Sequence, residues 1–91
     1  MHEAHTASDL VRTAGVVALD EGAERVVSLT VRVGSLSHID PESLRHQIEW
    51  HAKGTVVEGA RVEVETGPPF SVDEPDRHAS EVVLVSVDVG S

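Results

Sequence analysis

The 91-residue sequence contains no cysteine. That absence excludes disulfide scaffolds, thiol nucleophiles and zinc sites built on thiolates. Basic residues are also scarce, since seven lysines and arginines stand against sixteen acids and leave a formal net charge of −9. An acidic surface repels phosphate backbones and anionic lipid, so we expect a protein that binds neither nucleic acid nor membranes.

Long apolar stretches are missing as well, because no run approaches the roughly 20 residues that a membrane-spanning helix needs. The first five residues, MHEAH, lack the basic and apolar regions of a secretory signal peptide. We therefore expect a cytoplasmic protein. The chain length, with 40% hydrophobic and 25% charged residues, is typical of one globular domain, here residues 1–91.

Two segments are expected to form helices. Over Ala4–Glu21, apolar residues recur at the spacing of an amphipathic helix, which begins either at Glu3 or at a capping box at Thr6. A second helix is expected from Asp40-Pro41, a cap followed by proline, to Lys53-Gly54. The predicted buried positions are Ala7, Leu10, Val11, Ala14, Val17 and Ala18 in the first helix and Leu44, Ile48 and Ala52 in the second.

Three segments, at 27–33, 60–65 and 83–89, alternate apolar and polar residues with the period of a β-strand. The order helix, strand, helix, strand, strand predicts an α+β fold, a two-layer sandwich in which two helices cover one face of a three-stranded sheet. Residues 67–80 hold three of the four prolines and are expected to form a short loop. The inward residues are expected to be Val27, Leu29, Val31 and Val33 in the first strand and Val83, Val85, Val87 and Val89 in the last. The opposite face of the last strand is mixed (Val82, Leu84, Ser86 and Asp88), which leaves open that part of it is covered as well.

The most unusual feature of the sequence is the histidine at position 2. If Met1 carries a free amine, that amine, the deprotonated His2 amide nitrogen and the His2 imidazole close two fused chelate rings on one metal ion. Nitrogen donors in a plane suit Ni(II) or Cu(II). From spacing alone, the ordinary interpretation of His2 is a solvated residue on a frayed terminus. His5, three residues further on, is either a second ligand or a polar residue of the helix start.

Other polar residues have simpler explanations. Asp40 is accounted for as a helix cap, although its exposed position leaves a metal-ligand role open. Ser37, His38 and Asp40 do not predict a hydrolase triad, because nothing supplies an oxyanion hole or a nucleophile elbow. His46 and His51 are five residues apart on the second helix, so they do not share a face and are expected at the surface.

Three stretches taken together resemble the family of the hydrogenase/urease nickel-incorporation protein HypA. They are MHE at residues 1–3, VGSLSHIDPESL at residues 33–44 and KGTVVEGA at residues 53–60. The similarity covers about residues 1–66 and resumes in the last strand. Each stretch is short, but three motifs in the family's order make a chance resemblance a poor explanation.

The resemblance implies a nickel metallochaperone, not an enzyme, which works with a HypB-like GTPase to insert Ni(II) into the large subunit of nickel–iron hydrogenase. By motif, His2 would be the principal ligand, through its imidazole and backbone nitrogen together with the Met1 amine. Glu3 matches an adjacent acid of the family's site. Asp40 matches an acid of the family's loop that approaches the amino terminus. Asp40, His5 and His38 are therefore further candidate ligands.

The sequence departs from the family pattern between the last two strands. Family members insert there a zinc module built on two Cys-x-x-Cys pairs, whereas residues 67–80 contain no cysteine. We therefore expect no structural zinc, and His78 among acids is expected to be solvated. Whichever function applies, the protein is expected to be a monomer or a homodimer. The alternative function is a metal-independent interaction module that docks on the GTPase or a hydrogenase subunit through Trp50, its acidic surface or a free sheet edge.

Overall fold

The described part of the chain forms two helices and three strands in the order predicted from the sequence. The computed structural model describes residues 3–69, 71–73 and 79–91, with Glu3 described for its backbone only. Every element begins and ends within two residues of its predicted bounds. The elements are α1 (Glu3–Asp20), β1 (Arg25–Val33), α2 (Pro41–Ala52), β2 (Arg61–Thr66) and β3 (Val82–Gly90).

The three strands form one mixed sheet in the order β2-β1-β3. β1 and β2 are parallel and pair in an unbroken register, from Ser28 opposite Arg61 to Val33 opposite Thr66. Parallel neighbours need a crossover connection, which α2 supplies. β3 pairs with the other edge of β1 in the antiparallel direction, so β1 is the central strand.

The antiparallel pairing is irregular at the start of β1. Val26 and Ser28 lie opposite Val89 and Asp88, which are consecutive, so Val27 is an extra residue. This β-bulge reverses the alternation of side chains. The solvent-accessible fraction is 1% for Val26 and 41% for Val27, so the prediction of Val27 as an inward residue was wrong.

A second irregularity lies in the middle of β3. Thr30 and Val31 of β1 pair with Ser86 and Leu84, which leaves Val85 as the extra residue, 44% exposed. The bulge changes which side chains of the first half of the strand face the core. Valine or leucine occupies every position from 82 to 85, so hydrophobicity does not show which of these residues face inward. The residues of β3 that pack against the core are Val82, Leu84, Val87 and Val89. The prediction is therefore confirmed for Val87 and Val89 and wrong for Val83 and Val85, and the partial covering of the opposite face is found at Val82 and Leu84.

One hydrophobic core lies between the helices and the inner face of the sheet. The predicted stripe of α2 is buried, and Leu44 and Ile48 have no solvent-accessible surface. The predicted face of α1 is buried except for Val17, which is half-buried. Within the described ranges no polar or charged side chain is buried, so the burial of apolar surface stabilises this fold. None of the described helices is both long and apolar enough to cross a membrane.

Candidate functional site

The first candidate site is the start of α1. Met1 and His2, the principal predicted ligands, lie outside the described residues, and so does the side chain of Glu3. The helix itself begins at Glu3 and not at Thr6, which decides between the two starts considered from the sequence. The first four N–H groups of an α-helix have no partner within the helix. Amide nitrogens at this end of the chain are therefore not needed for helical hydrogen bonds.

His5 lies in the first turn of α1. Its Nε2 atom is 3.4 Å from Oδ2 of Asp9, one turn further on, and its side chain is 84% exposed. Asp9 also pairs with Arg12. Exposed pairs at this spacing stabilise a helix by a few tenths of a kcal/mol. His5 therefore has a role on the helix surface whether or not it contacts a metal ion.

The β1–α2 loop, residues 34–40, carries the candidate ligand His38. This residue has a φ of 61°, in the left-handed region that residues other than glycine seldom occupy. Ser37 fixes the loop around it, because the Ser37 hydroxyl donates to the carbonyl of Gly34 at 2.8 Å and accepts from the amide of Ile39 at 3.4 Å. The imidazole of His38 is exposed at the end of this turn. The stabilising role of Ser37 was not predicted from the sequence.

Asp40, the other candidate in the loop, is the N-cap of α2, as predicted. Its backbone is extended, with φ −76° and ψ 120°, and its Oδ2 atom accepts a hydrogen bond from the amide of Ser43 at 3.0 Å. Pro41 follows at the first helical position. The carboxylate of Asp40 therefore stabilises the start of a helix, and this use accounts for the residue without a metal ion.

The β1–α2 loop is held by the β2–β3 connection, residues 67–81. The amide of Gly34 donates to the carbonyl of Glu81 at 2.9 Å, and that of Leu36 donates to the carbonyl of Ala79 at 2.6 Å. The position of the loop that carries His38 and Asp40 thus depends on this connection. His78, in the same segment, lies outside the described residues.

The exposed face of α2 carries a small charge network. Arg45 pairs with Glu42 and places its Nη1 atom 3.1 Å from Oε2 of Glu49. The hydrogen bond from Arg45, and then its charge, hold the pKa of the Glu42 carboxyl below its usual range, and the same contact raises the pKa of Arg45. Nε2 of His46 lies 3.5 Å from Oε2 of Glu42. The His46 side chain is 63% exposed, so its predicted position at the surface is confirmed.

Two clefts open beside the core, and neither contains the predicted ligands. One, of about 340 Å³, lies between α1 and the end of α2 and includes the half-buried His51. The other, of about 430 Å³, lies between α2 and β2. Among residues 3–69, 71–73 and 79–91, no three histidine, aspartate or glutamate side chains group closely enough to hold a metal ion. The described residues therefore do not assemble His5, His38 and Asp40 into one site.

Comparison with known sequences links the chain to one family. Residues 1–72 match the family described as hydrogenase/urease nickel incorporation, metallochaperone, hypA. The hydrogenase maturation factor HypA of Methanopyrus kandleri is 45% identical over 71% of this chain and 46% of its own length. That of Deinococcus radiodurans is 44% identical over 75% of this chain and 57% of its own length. The chain thus spans about half the length of these relatives.

Solved structures agree on the fold. The solution structure of the Ni metallochaperone HypA from Helicobacter pylori superposes with a TM-score of 0.83, at 16% sequence identity, over 100% of this chain and 99% of the other. A second solution structure of a HypA protein gives a TM-score of 0.71 at 15% identity, over 98% of this chain and 96% of the other. At such low identity the likeness concerns the arrangement of helices and strands alone.

Proposed function

Since the chain belongs to the HypA family of hydrogenase/urease nickel-incorporation metallochaperones, we propose that it binds Ni(II) at Met1, His2 and Glu3 and delivers it to a hydrogenase. The family consists of metallochaperones and not of enzymes, so the chemistry is ligand exchange. The observation that carries the proposal is the family match, which includes the amino terminus, together with a helix that begins at Glu3, next to the proposed chelate.

The start of α1 suits such a chelate for an electrostatic reason. The helix dipole places partial positive charge at its amino end, which disfavours a bare cation and favours negative charge. A deprotonated His2 amide and the Glu3 carboxylate would supply that negative charge beside the metal ion. No helical hydrogen bond is lost, because amides this early in the chain have no partner within the helix.

Binding through these nitrogens requires the loss of protons. The Met1 amine must lose one proton and the His2 amide another, while the imidazole must be neutral. Nickel affinity is therefore expected to rise with pH and to be accompanied by proton release. Planar nitrogen coordination is expected to give the absorbance band of square-planar Ni(II).

The partners that fit this function are a HypB-like GTPase and the hydrogenase large subunit, in the cytoplasm. A site beside the start of α1 supports transfer, because the nickel ion can pass to donor groups of a partner without unfolding the core. We propose no structural zinc in the given sequence, because the β2–β3 connection contains no cysteine.

One observation favours the alternative, a metal-independent docking module. Trp50 is 64% exposed on α2, with Nζ of Lys53 4.7 Å from its ring centroid. Exposed tryptophan is enriched at protein interfaces. The alternative predicts that the GTPase binds equally well with and without nickel, and that His2→Ala does not change that binding.

The test is a titration of Ni(II) into a preparation whose chain begins at Met1. His2→Ala is expected to weaken nickel binding by more than about 100-fold, because it removes the imidazole and opens a chelate ring. His46→Ala is the matched control, since it removes an exposed histidine of α2 that is not a candidate ligand, and its affinity is expected to stay within about threefold of the wild type. Equal affinity of His2→Ala and wild type would contradict the proposed site.

A further inference from the structure

β2 is an edge strand of the sheet that the described residues form. Within the described residues β2 hydrogen-bonds to β1 alone, and the register of that pair is unbroken from Arg61 to Thr66. The other edge of the sheet, β3, is interrupted by the bulge at Val85. Bulges protect an edge from pairing with another chain, whereas a regular edge offers its free N–H and C=O groups to one. β2 is therefore the edge better suited to accept a strand.

A groove lies beside the start of β2, where Val62 is part of its lining. The cleft of about 430 Å³ between α2 and β2, called the α2–β2 groove below, has the buried residues Ala52, Val57 and Val62 in its lining. Glu49 and Lys53 of α2 also line it. A strand added to β2 would direct every second side chain to the face of the sheet on which this groove lies. The site therefore fits a strand with small apolar residues at alternate positions.

The outward side chains of β2 show which strand fits. Glu65 pairs with Arg32 of β1, with Nη2 and Oε2 3.3 Å apart. Arg61 and Glu63 lie opposite Ser28 and Thr30, which carry no charge, and their own Nε and Oε1 atoms are 3.9 Å apart. Both side chains are largely exposed, at 78% and 56%. The accessible part of the edge thus presents one charge of each sign, two residues apart.

We propose that β2 pairs with β2 of a second copy of this chain, antiparallel and related by a two-fold axis at Val62. In this register Arg61 lies opposite the partner's Glu63, and Glu63 lies opposite the partner's Arg61. Val62 meets the partner's Val62 on the groove side. Opposite charges directly across an antiparallel pair are stabilising and like charges are destabilising. The two sheets join into one sheet of six strands.

The sequence of β2 favours a second copy over a foreign strand because the pattern Arg-Val-Glu is complementary to itself when reversed. An isologous contact requires this property of its surface. Two copies that each carry a net charge of −9 repel at long range. Salt at about 0.15 M screens that repulsion beyond roughly 8 Å while contacts at the strand edge persist. The pairing involves neither Met1 nor His2 and is independent of nickel.

The test is sedimentation equilibrium at about 0.15 M salt over about 5 to 500 µM protein. The wild type is expected to dimerise reversibly in this range. Arg61→Glu and Glu63→Arg each turn two opposite-charge contacts into like-charge contacts, so each is expected to raise the dimer dissociation constant about tenfold. The double variant Arg61→Glu/Glu63→Arg keeps the net charge and is expected to restore the wild-type constant.

A control separates the contacts from overall charge. Glu21→Arg, at an exposed position just after α1, changes the net charge as Glu63→Arg does and is expected not to weaken the dimer. A wild type that stays monomeric throughout overturns the proposal, as does a double variant that remains weakened. A monomer that instead binds a synthetic peptide of alternating lysine and valine would assign the edge to a foreign strand and also overturn it.

Discussion

The two helices end alike and begin differently. α1 is followed by Gly22 and α2 by Gly54, and both glycines have positive φ, 68° and 80°, as helix termination by glycine requires. At the other end, α2 begins with a capping aspartate whose carboxylate already accepts a hydrogen bond. α1 begins at Glu3, two residues after Met1.

The difference between the two helix starts separates a candidate ligand that has a structural role, Asp40, from the candidates at the start of α1. Asp40 is fully explained by the helix that it caps, so its match to a family acid adds no independent evidence for a metal role. At the start of α1, by contrast, the amide of Glu3 is not needed for the hydrogen bonds of the helix. We therefore keep nickel binding at the start of α1 as a proposal, and we attribute to Asp40 the stabilisation of the start of α2.

The largest expected effect on stability concerns the cap of α2. Asp40→Ala removes the acceptor of the Ser43 amide and is expected to lower the free energy of unfolding by about 1 kcal/mol. Asp40→Asn keeps a good capping residue and is expected to lie within a few tenths of a kcal/mol of the wild type. Urea denaturation followed by circular dichroism measures both changes.

The same pair of variants sharpens the contrast between the helix starts. If Asp40 acts only as a cap, Asp40→Asn leaves nickel affinity unchanged although the negative charge is gone. A loss of nickel affinity in Asp40→Asn, with stability preserved, would make Asp40 part of the metal site and would erase the distinction between the two helix starts.

A smaller effect is expected from the charge network on α2. The pKa of Glu42 is lowered by its hydrogen bond from Arg45 and then by the charge of Arg45. A lowered folded-state pKa means that the stabilisation is present above the unfolded-state pKa and is lost as the pH falls through the folded value. Glu42 is fully exposed, so the effect on stability is expected to be slight.

Carbon-detected NMR titration of the Glu42 carboxyl checks this pKa directly. The wild type is expected to titrate below the usual glutamate range, and Arg45→Gln is expected to return the midpoint toward that range. An unchanged midpoint in Arg45→Gln would remove Arg45 as the cause. Nickel affinity is expected to be the same in both proteins, because α2 is not assigned to the site.

Much of the fold could be predicted because local signals agree with tertiary packing. The Asp40-Pro41 start, the Lys53-Gly54 end and the apolar stripe of α2 all appear in the structure as expected. The errors lie where apolar residues occupy consecutive positions, because hydrophobicity then does not alternate between the two faces of a strand. Val26 and Val27 are identical in chemistry, as are Val82, Val83 and Val85, so the bulges that select the inward residue leave no trace in hydrophobicity.

The candidate site was less accessible to sequence reasoning. The residues around His2 form no helical or strand pattern that would predict its role. Its interpretation as a ligand came from the family resemblance rather than from spacing. The left-handed conformation of His38 depends on the hydroxyl of Ser37 and on the neighbouring β2–β3 connection, which meet only in the folded chain. Non-local contacts of this kind cannot be read from a local pattern.

The proposed nickel site at the start of α1 is tested most directly by acetylating one functional group, the Met1 amine. Ni(II) is titrated at several pH values into the chain that begins at Met1 and into the same chain acetylated at that amine, with absorbance and proton release recorded. The unmodified chain is expected to bind nickel in a square-planar site, with proton release and an affinity that rises with pH. The acetylated chain is expected to lose this site. Equal affinity and an identical spectrum in the two preparations would contradict the proposed nickel site.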